Sequence, residues 1–249
     1  MNKQQRIDVI TLFPEMINGV FAEGVTGRAI HKQILALHTL NPRQFADDVH
    51  QSVDDRPYGG GPGMVMNCQV IEQSLAHIDR QYGRGYRVYL TPQGKTLNHD
   101  LVQQLSHKEH LVLLCGRYEG IDERVIEEQI DLECSLGDFV LSGGEPAAIA
   151  LIDAIARLLP GTLGHKDSAD NDSFATGLLD HPHYTRPESV NGKTVPDVLL
   201  SGNHEAIADY RLQQALGNSW LKRPDLFARK ALSEAELCLL NDFLKQYRN

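Results

Sequence analysis

Three glycine-bearing segments carry most of the residue types in this chain that could bind a small ligand. They are 91–94 (TPQG), 115–122 (CGRYEGID) and 136–145 (LGDFVLSGGE); the first two follow predicted strands, and the third precedes a predicted buried helix. In an open α/β sheet, ligands bind beyond the carboxyl ends of the strands, where glycines let backbone groups approach an adenine or a ribose closely. One such turn is common and therefore weak evidence, but three in succession indicate a ligand site.

Two familiar nucleotide-binding motifs are excluded by spacing. The run Gly94-Lys95-Thr96 resembles the end of a phosphate-binding P-loop, but Tyr89 stands where that motif needs its first glycine, and Pro92 removes a backbone donor. The glycines of segment 56–64 do not fit GxGxxG, because Met64 occupies the last position. Neither a P-loop nor a dinucleotide site of the Rossmann type is expected.

The histidines and cysteines do not show a metal-binding pattern. His181 and His183 lie in a predicted loop, where solvent-exposed side chains are expected rather than metal ligands, and no HExxH motif is present. The four cysteines include no CxxC pair and mostly lie in apolar runs, which predicts reduced, buried thiols in a cytosolic protein. They are Cys68, Cys115, Cys134 and Cys238.

The elements that must position the three segments read as an alternation of strands and helices. Short apolar runs predict strands, and periodic runs predict helices. The strands are expected at 6–12, 86–90 and 110–115, and the helices at 25–37, 97–105, 121–128 and 146–159. Such an alternation predicts an α/β fold with a mainly parallel sheet.

The C-terminal third differs in composition from the rest. Segment 164–176 is polar and acidic, which predicts a mobile linker. The remainder of the chain is predicted to be small and helical, and its last helix should begin with a capping box formed by Ser233 and Glu236.

The charge balance alone counts against a nucleic-acid partner, because the formal net charge is -9. Binding needs only a local basic surface, however, and the pairs Lys222-Arg223 and Arg229-Lys230 could supply one or could simply be solvated. The sequence contains no run of about 18 apolar residues, so no membrane span is expected. The first residues read as a strand rather than a signal peptide.

Several motifs together resemble one family of enzymes over nearly the whole chain. The segments GRYEGIDERV, GDFVLSGGE, ARLLPG, NDSF and HYTRP, with IDVITLFPEM, YGGGPGM and VLLSGNH, resemble the bacterial tRNA (guanine-37-N1)-methyltransferases of the SPOUT class. The resemblance implies a cytoplasmic homodimer with its active sites at the interface. Each chain would have an α/β catalytic domain with a deep trefoil knot at 1–163, a flexible linker at 164–179 and a small helical tRNA-binding domain at 180–249.

The implied reaction moves a methyl group from S-adenosylmethionine to N1 of guanine 37, beside the anticodon, with Mg²⁺ required and its ligands unknown. The positions that match the family's donor-binding segments are Tyr89, Leu90, Thr91, Pro92, Gln93, Gly94, Gly116, Arg117, Tyr118, Gly120, Leu136, Gly137, Asp138, Phe139, Val140, Leu141, Gly143 and Gly144.

Three further positions match catalytic residues of the family, and each has a structural alternative. Asp172 matches the proposed general base, Arg157 an arginine near guanine O6, and Glu119 a carboxylate facing the charged end of the donor. From residue types alone, Asp172 could be solvating charge like Asp167 and Asp170. Arg157 could pair with Asp153 within a helix, and Glu119 could complement a helix dipole.

Two rival functions are kept beside this one. The first is a SPOUT methyltransferase that acts on ribose 2′-O or on ribosomal RNA. Asp172 in the linker argues against this rival, because ribose chemistry needs a different acceptor geometry. A non-catalytic RNA-binding protein would have no need of Gly116, Glu119, Arg157 and Asp172 together.

Overall fold

A computed structural model of the chain describes residues 4–164 and 172–247. The chain separates into two compact units, 1–164 and 165–249. Asp167 and Asp170, the two acids considered beside Asp172 as solvating charge, lie outside the described residues.

The first unit is built on a five-stranded sheet in the order β2-β1-β6-β5-β7, with every neighbouring pair parallel. A short antiparallel pair, β3 with β4, lies outside this sheet. The strands of this unit are β1 (Gln5–Ile10), β2 (Leu35–Leu40), β3 (Asp54–Asp55), β4 (Val65–Met66), β5 (Tyr86–Thr96), β6 (His110–Cys115) and β7 (Leu132–Ser135). The expected α/β fold with a parallel sheet is confirmed, while the trefoil knot stays a prediction.

Helices cover both faces of the sheet. They are α1 (Pro14–Val20), α2 (Gly24–His31), α3 (Cys68–Tyr82), α4 (His99–Ser106), α5 (Glu123–Gln129) and α6 (Glu145–Leu158). Alternate residues of the central strand β6 point to opposite faces: Leu111 and Leu113 join a core with α1, α4 and α6, whereas Val112 and Leu114 join one with α3 and α5. Because β6 is buried on both faces, it reads as a continuous apolar run.

The second unit is small and mainly helical. Its elements are the hairpin strands β8 (Ser189–Val190) and β9 (Lys193–Thr194) and the helices α7 (Asp197–Leu200), α8 (His204–Lys222) and α9 (Glu234–Tyr247). Leu216 of α8 and Leu240 of α9 are buried together with Leu178. The capping box at the start of α9 is confirmed, because Glu236 N–H donates to Ser233 Oγ at 3.2 Å and Ser233 N–H donates to Glu236 Oε2 at 2.8 Å.

The end of the expected linker is packed within this second unit. Leu178 is buried in its core, and Leu179 N–H donates a 2.8 Å hydrogen bond to Ser219 Oγ. Asp180 N–H likewise donates to Ser173 Oγ at 2.9 Å. The sequence did not predict these contacts, because the segment is mostly polar and Leu178 and Leu179 lie at its very end. The functional assignment of the domains stays a prediction.

One expected element is wrong in part. The helix expected over 25–37 ends at His31, because Gln33 adopts a left-handed φ of 57° and Leu35 begins the edge strand β2. The apolar residues of this stretch fit helical and strand spacing equally, which is a known ambiguity of short runs. Among the helices of the described residues, none has the length and hydropathy needed to cross a bilayer.

Candidate functional site

The three glycine-bearing segments meet at the end of the sheet where β6 and β7 finish, and they enclose a cavity of about 320 Å³. Segment 116–120 follows β6 and segment 136–144 follows β7, while 91–94 bulge from β5, whose register against β7 shifts between Leu90 and Lys95. The predicted residues that line the cavity are Tyr89, Leu90, Thr91, Pro92, Gln93, Gly116, Arg117, Tyr118, Glu119, Gly120, Leu136, Phe139, Val140, Leu141, Gly143 and Gly144.

Gly94, Gly137 and Asp138 are not among the lining residues of this cavity. A Cβ at Gly94 would overlap the backbone between Glu133 and Cys134, so strand packing explains this glycine. Gly137 forms a turn in which its N–H donates to Ser135 Oγ at 3.1 Å. The roles of these three residues in donor binding stay predictions.

The cavity wall is held by an ion pair that the sequence reasoning missed. Glu145, the first residue of α6, is fully buried and lies 2.8 Å from the guanidinium of Arg117. Glu145 also accepts a 2.7 Å hydrogen bond from Thr11 Oγ1, while Arg117 donates to Ser142 O at 3.0 Å. Residues from the end of β1 and from two of the segments are thereby tied together. An acidic residue at a helix start is usually read as dipole charge, and no local pattern points to Arg117 as its partner.

The two glycines at these contacts leave no room for a side chain. A Cβ at Gly143 would overlap the Arg117 guanidinium, and a Cβ at Gly116 would lie 2.9 Å from the Tyr89 ring. A side chain at either position would therefore displace Arg117 or Tyr89 before it entered the space of a ligand. The packing of the cavity wall therefore requires glycine at both Gly116 and Gly143.

Glu119 contacts the glycine-rich segment 56–64, which includes the motif YGGGPGM of the family resemblance. Glu119 N–H donates to Met64 O at 2.9 Å, and a Cβ at Gly63, whose φ is +85°, would overlap the Glu119 side chain. The N-cap of α5 is Asp122, whose carboxylate accepts from Arg124 N–H at 3.0 Å. Since Asp122 serves as the helix cap, Glu119 is left as a carboxylate of the cavity wall.

The charged groups of the cavity wall are mainly acidic. The lining residues that were not among the expected donor-binding or catalytic positions are Ile121, Glu123, Ile126, Glu133, Cys134, Ser135, Ser142 and Ala147. Glu119, Glu123 and Glu133 contribute carboxylates, whereas the Arg117 cation is paired with Glu145. Such a wall favours a ligand that carries positive charge.

Two titratable groups on the cavity wall stay neutral at pH 7. Burial raises the pKa of the Cys134 thiol to about 11. Burial also raises the pKa of Tyr89, although its hydrogen bond with Thr91 opposes the shift. Because a thiolate is the reactive form of cysteine, Cys134 is unsuited to act as a nucleophile. This disfavours chemistry through a covalent cysteine intermediate.

The predicted catalytic residues Arg157 and Asp172 belong to different units. Arg157 lies in the last turn of α6 in the first unit, and Asp172 lies in the second. Asp153, the residue considered as a partner of Arg157, accepts a 2.7 Å hydrogen bond from Thr26 Oγ1. The catalytic roles of Asp172, Arg157 and Glu119 stay predictions.

Comparison with known proteins gives one consistent result. Residues 5–229 match the family model described as tRNA (Guanine-1)-methyltransferase TrmD. A protein of Idiomarina loihiensis is 54% identical over 99% of this chain and 98% of its own length, and one of Halorhodospira halophila is 54% identical over 98% and 93%. A protein of Coxiella burnetii is 54% identical over 96% of this chain and 98% of its own length. All three relatives bear the name tRNA (guanine-N(1)-)-methyltransferase.

Proposed function

The chain belongs to the tRNA (guanine-1)-methyltransferase family, and on this premise we propose that it methylates N1 of guanine 37, beside the anticodon, in the cytoplasm. A methyl group at this position would maintain the reading frame during translation. The observation that carries the proposal is the cavity formed by the three segments, with its acidic wall, in a chain whose residues 5–229 match the family.

The chemistry of the cavity wall fits S-adenosylmethionine as the methyl donor. This donor has an adenine and a ribose, which backbone groups of glycine-bearing turns can contact closely. It also has a sulfonium and an ammonium group, whose positive charges the carboxylates of Glu119, Glu123 and Glu133 can offset. Apolar side chains such as Leu136 and Ala147 complete the lining. A concave site that combines apolar lining with placed polar groups is typical for such ligands.

A residue of the chain must remove the proton of guanine N1 while the methyl group is transferred. The donor supplies an electrophilic methyl group, and guanine N1 carries a proton at neutral pH that blocks its attack. We assign this proton to the Asp172 carboxylate, so that the N1–carbon bond forms as the sulfur–carbon bond breaks. The Arg157 guanidinium, placed near O6, would stabilise the negative charge that develops on the base.

Magnesium is expected for the transfer, and the donor set restricts how it could bind. In the described part of the chain, one cluster of three or more His, Cys, Asp or Glu side chains has metal-like spacing, and it includes two histidines. Mg²⁺ prefers oxygen ligands and usually keeps several waters. We therefore expect Mg²⁺ to be held mainly by water and substrate, with one or two carboxylates of the chain at most.

Two structural features support a homodimer that binds tRNA. Tyr118, Phe139 and Val140 at the rim of the cavity are 48%, 55% and 84% exposed, which suits burial by a second chain or a substrate. In the second unit, Lys222 and Arg229 are exposed cations that could contact phosphates.

The experiment that tests the function is a methyl-transfer assay with labelled S-adenosylmethionine and unmodified tRNA, followed by mapping of the modified nucleoside. We expect 1-methylguanosine at position 37 and no transfer to a matched tRNA with adenine there. A 2′-O-methylated product or ribosomal RNA as the preferred acceptor would establish the rival methyltransferase. Donor binding without any transfer would establish the non-catalytic RNA-binding protein.

A further inference from the structure

Three potential metal ligands converge in the turn at residues 180–183 of the second unit. One ligand atom each from Asp180, His181 and His183 lies within 4.8 Å of the other two. The two imidazole rings are tilted against each other with their centroids 4.5 Å apart. Spacing alone suggested exposed loop histidines, but the fold adds a carboxylate to both of them.

The orientation of His181 leaves one ring nitrogen available as a ligand. Its Nδ1 lies 3.1 Å from Pro182 O, and because a carbonyl oxygen can only accept, Nδ1 must carry the proton. In the neutral ring Nε2 then presents its lone pair, and it lies 3.8 Å from Asp180 Oδ1. A histidine held by a backbone carbonyl through its other nitrogen is the usual arrangement around bound metals. The side chain of His181 is only 19% exposed, so this orientation is well fixed.

Asp180 is held in place by hydrogen bonds. Its Oδ1 accepts from His181 N–H at 2.7 Å, and its Oδ2 lies 2.8 Å from His183 Nε2. The His183 side chain is 71% exposed, so ions in solvent can reach its ring.

We propose that Asp180, His181 and His183 bind one divalent transition-metal ion of the Zn²⁺, Co²⁺ or Ni²⁺ class. Two imidazoles with one carboxylate are a donor set that these borderline cations prefer over Mg²⁺. Three protein ligands leave at least one position for water. His181 and His183 also line a cavity of about 620 Å³, so that position would face open space beside the cations of Arg186 and Arg211. His183 would bind through a ring nitrogen that carries no proton, since metal ligands must be deprotonated.

The test is a titration of the full-length chain, freed of metal by chelation and desalting, with Co²⁺ followed by visible absorption and calorimetry. We expect one Co²⁺ per chain, displaced by Zn²⁺ but not by millimolar Mg²⁺. His183→Asn, His181→Asn and Asp180→Asn should each weaken Co²⁺ binding by about 10- to 100-fold or more, since losing even an outer partner of a ligand costs that much. The control His50→Asn, which removes an exposed histidine of the first unit, should bind like wild type.

A second readout separates loss of the site from loss of the fold. Zn²⁺ should raise the melting temperature of wild type, because a ligand of the folded state stabilises it, and this shift should disappear in His183→Asn. That variant changes a mostly exposed side chain, so its circular dichroism should match wild type. Equal Co²⁺ affinity in wild type and all three variants, or full displacement of Co²⁺ by Mg²⁺, would overturn the proposal. Neither measurement needs tRNA or methyl donor, so the result is independent of the proposed function.

Discussion

At the scale of single residues, two glutamates near the cavity have different roles because their surroundings differ. Glu145 is fully buried, and its charge is compensated by Arg117 and by the Thr11 hydroxyl. Glu119 faces the cavity, beside Gly63. Removing one partner of a buried ion pair leaves an uncompensated charge and is strongly destabilising. Glu145 is therefore expected to shape the donor site, and Glu119 to contact the donor.

Gly143→Ala should weaken donor binding through this ion pair. The added Cβ would overlap the Arg117 guanidinium and push it away from Glu145. Overpacking of this kind typically costs about 1–3 kcal/mol, so calorimetry should show S-adenosylmethionine affinity reduced by about tenfold or more. Gly19→Ala is the matched control, because a Cβ at Gly19 meets no atom within 4 Å. Wild-type affinity in folded Gly143→Ala would contradict this account of the cavity wall.

Asp172→Asn should slow methyl transfer without weakening ligand binding. The amide keeps the size of the side chain but cannot take the N1 proton, and loss of a general base typically costs about 10²- to 10⁴-fold. Single-turnover rates are the appropriate measurement, because product release can hide the chemical step. Glu188→Gln, an exposed carboxylate of the same unit, serves as the control. A rate within a few-fold of wild type would mean that the proton leaves by another route.

The sequence predicts the cavity better than the contacts that build it. Gly116 and Gly143 could be identified because glycines at strand ends point to a close backbone approach. The pairing of Arg117 with Glu145 could not, since it depends on the start of α6 lying beside the end of β6, where Gly144 N–H donates to Gly116 O at 3.0 Å. Gly94 was read as part of the ligand site, but it is explained by the neighbouring strand at Cys134. Contacts between segments distant in sequence leave no local pattern.

At the scale of elements, strands β1 and β6 share a charged cluster at the sheet end opposite the cavity. Asp8 accepts hydrogen bonds from Arg6 Nε at 2.6 Å and from His110 Nε2 at 2.7 Å, and the Arg6 guanidinium lies 3.3 Å from the Tyr82 ring centroid. Burial would raise the pKa of Asp8, but the hydrogen bonds from His110 and Arg6 outweigh it and lower that pKa. The ionised form is thus the one that stabilises the fold.

The sign of this shift sets a pH dependence. A depressed carboxyl pKa stabilises the fold above the unfolded-state pKa of about 3.9, and the contribution is lost as pH falls through the lower folded value. Asp8→Asn should reduce the free energy of unfolding in urea by about 1.5–3 kcal/mol at pH 7, as for hydrogen bonds to charged groups. The difference from wild type should shrink below about pH 4. Glu128→Gln, an exposed carboxylate on α5, should show no such difference.

The end of α8 and the segment after it offer the cations expected to contact tRNA. Arg223 is paired with Asp225 at 2.7 Å and Lys230 with Glu236 at 3.4 Å, whereas Lys222 and Arg229 are exposed. Lys222→Ala with Arg229→Ala should weaken tRNA binding and flatten its dependence on salt, with the slope falling by about 0.7–0.9 per lost phosphate contact. Arg28→Ala with Lys32→Ala, an exposed pair at the C-terminal end of α2, is the control. An unchanged salt slope would place the tRNA surface elsewhere.

At the scale of the whole molecule, the predicted catalytic residues Arg157 and Asp172 lie in separate units of the chain. A site that needs both can be assembled within one chain or between two chains. The family resemblance implies two chains, and the exposed apolar rim formed by Tyr118, Phe139 and Val140 would suit such an interface. Light scattering should accordingly report twice the chain mass of 27.8 kDa at micromolar concentration.

Mixing two inactive variants distinguishes these arrangements. Arg157→Ala and Asp172→Ala chains, carrying different tags and expressed together, form heterodimers that can be purified. If Arg157 of one chain serves the same site as Asp172 of the other, each heterodimer has one site with both mutations and one that is intact. Its activity per dimer should then be roughly half that of wild type, by the two-fold symmetry of the assembly, while both parent homodimers stay nearly inactive. If both residues act within one chain, every site in the heterodimer has a single mutation, and its activity will remain as low as that of the parents.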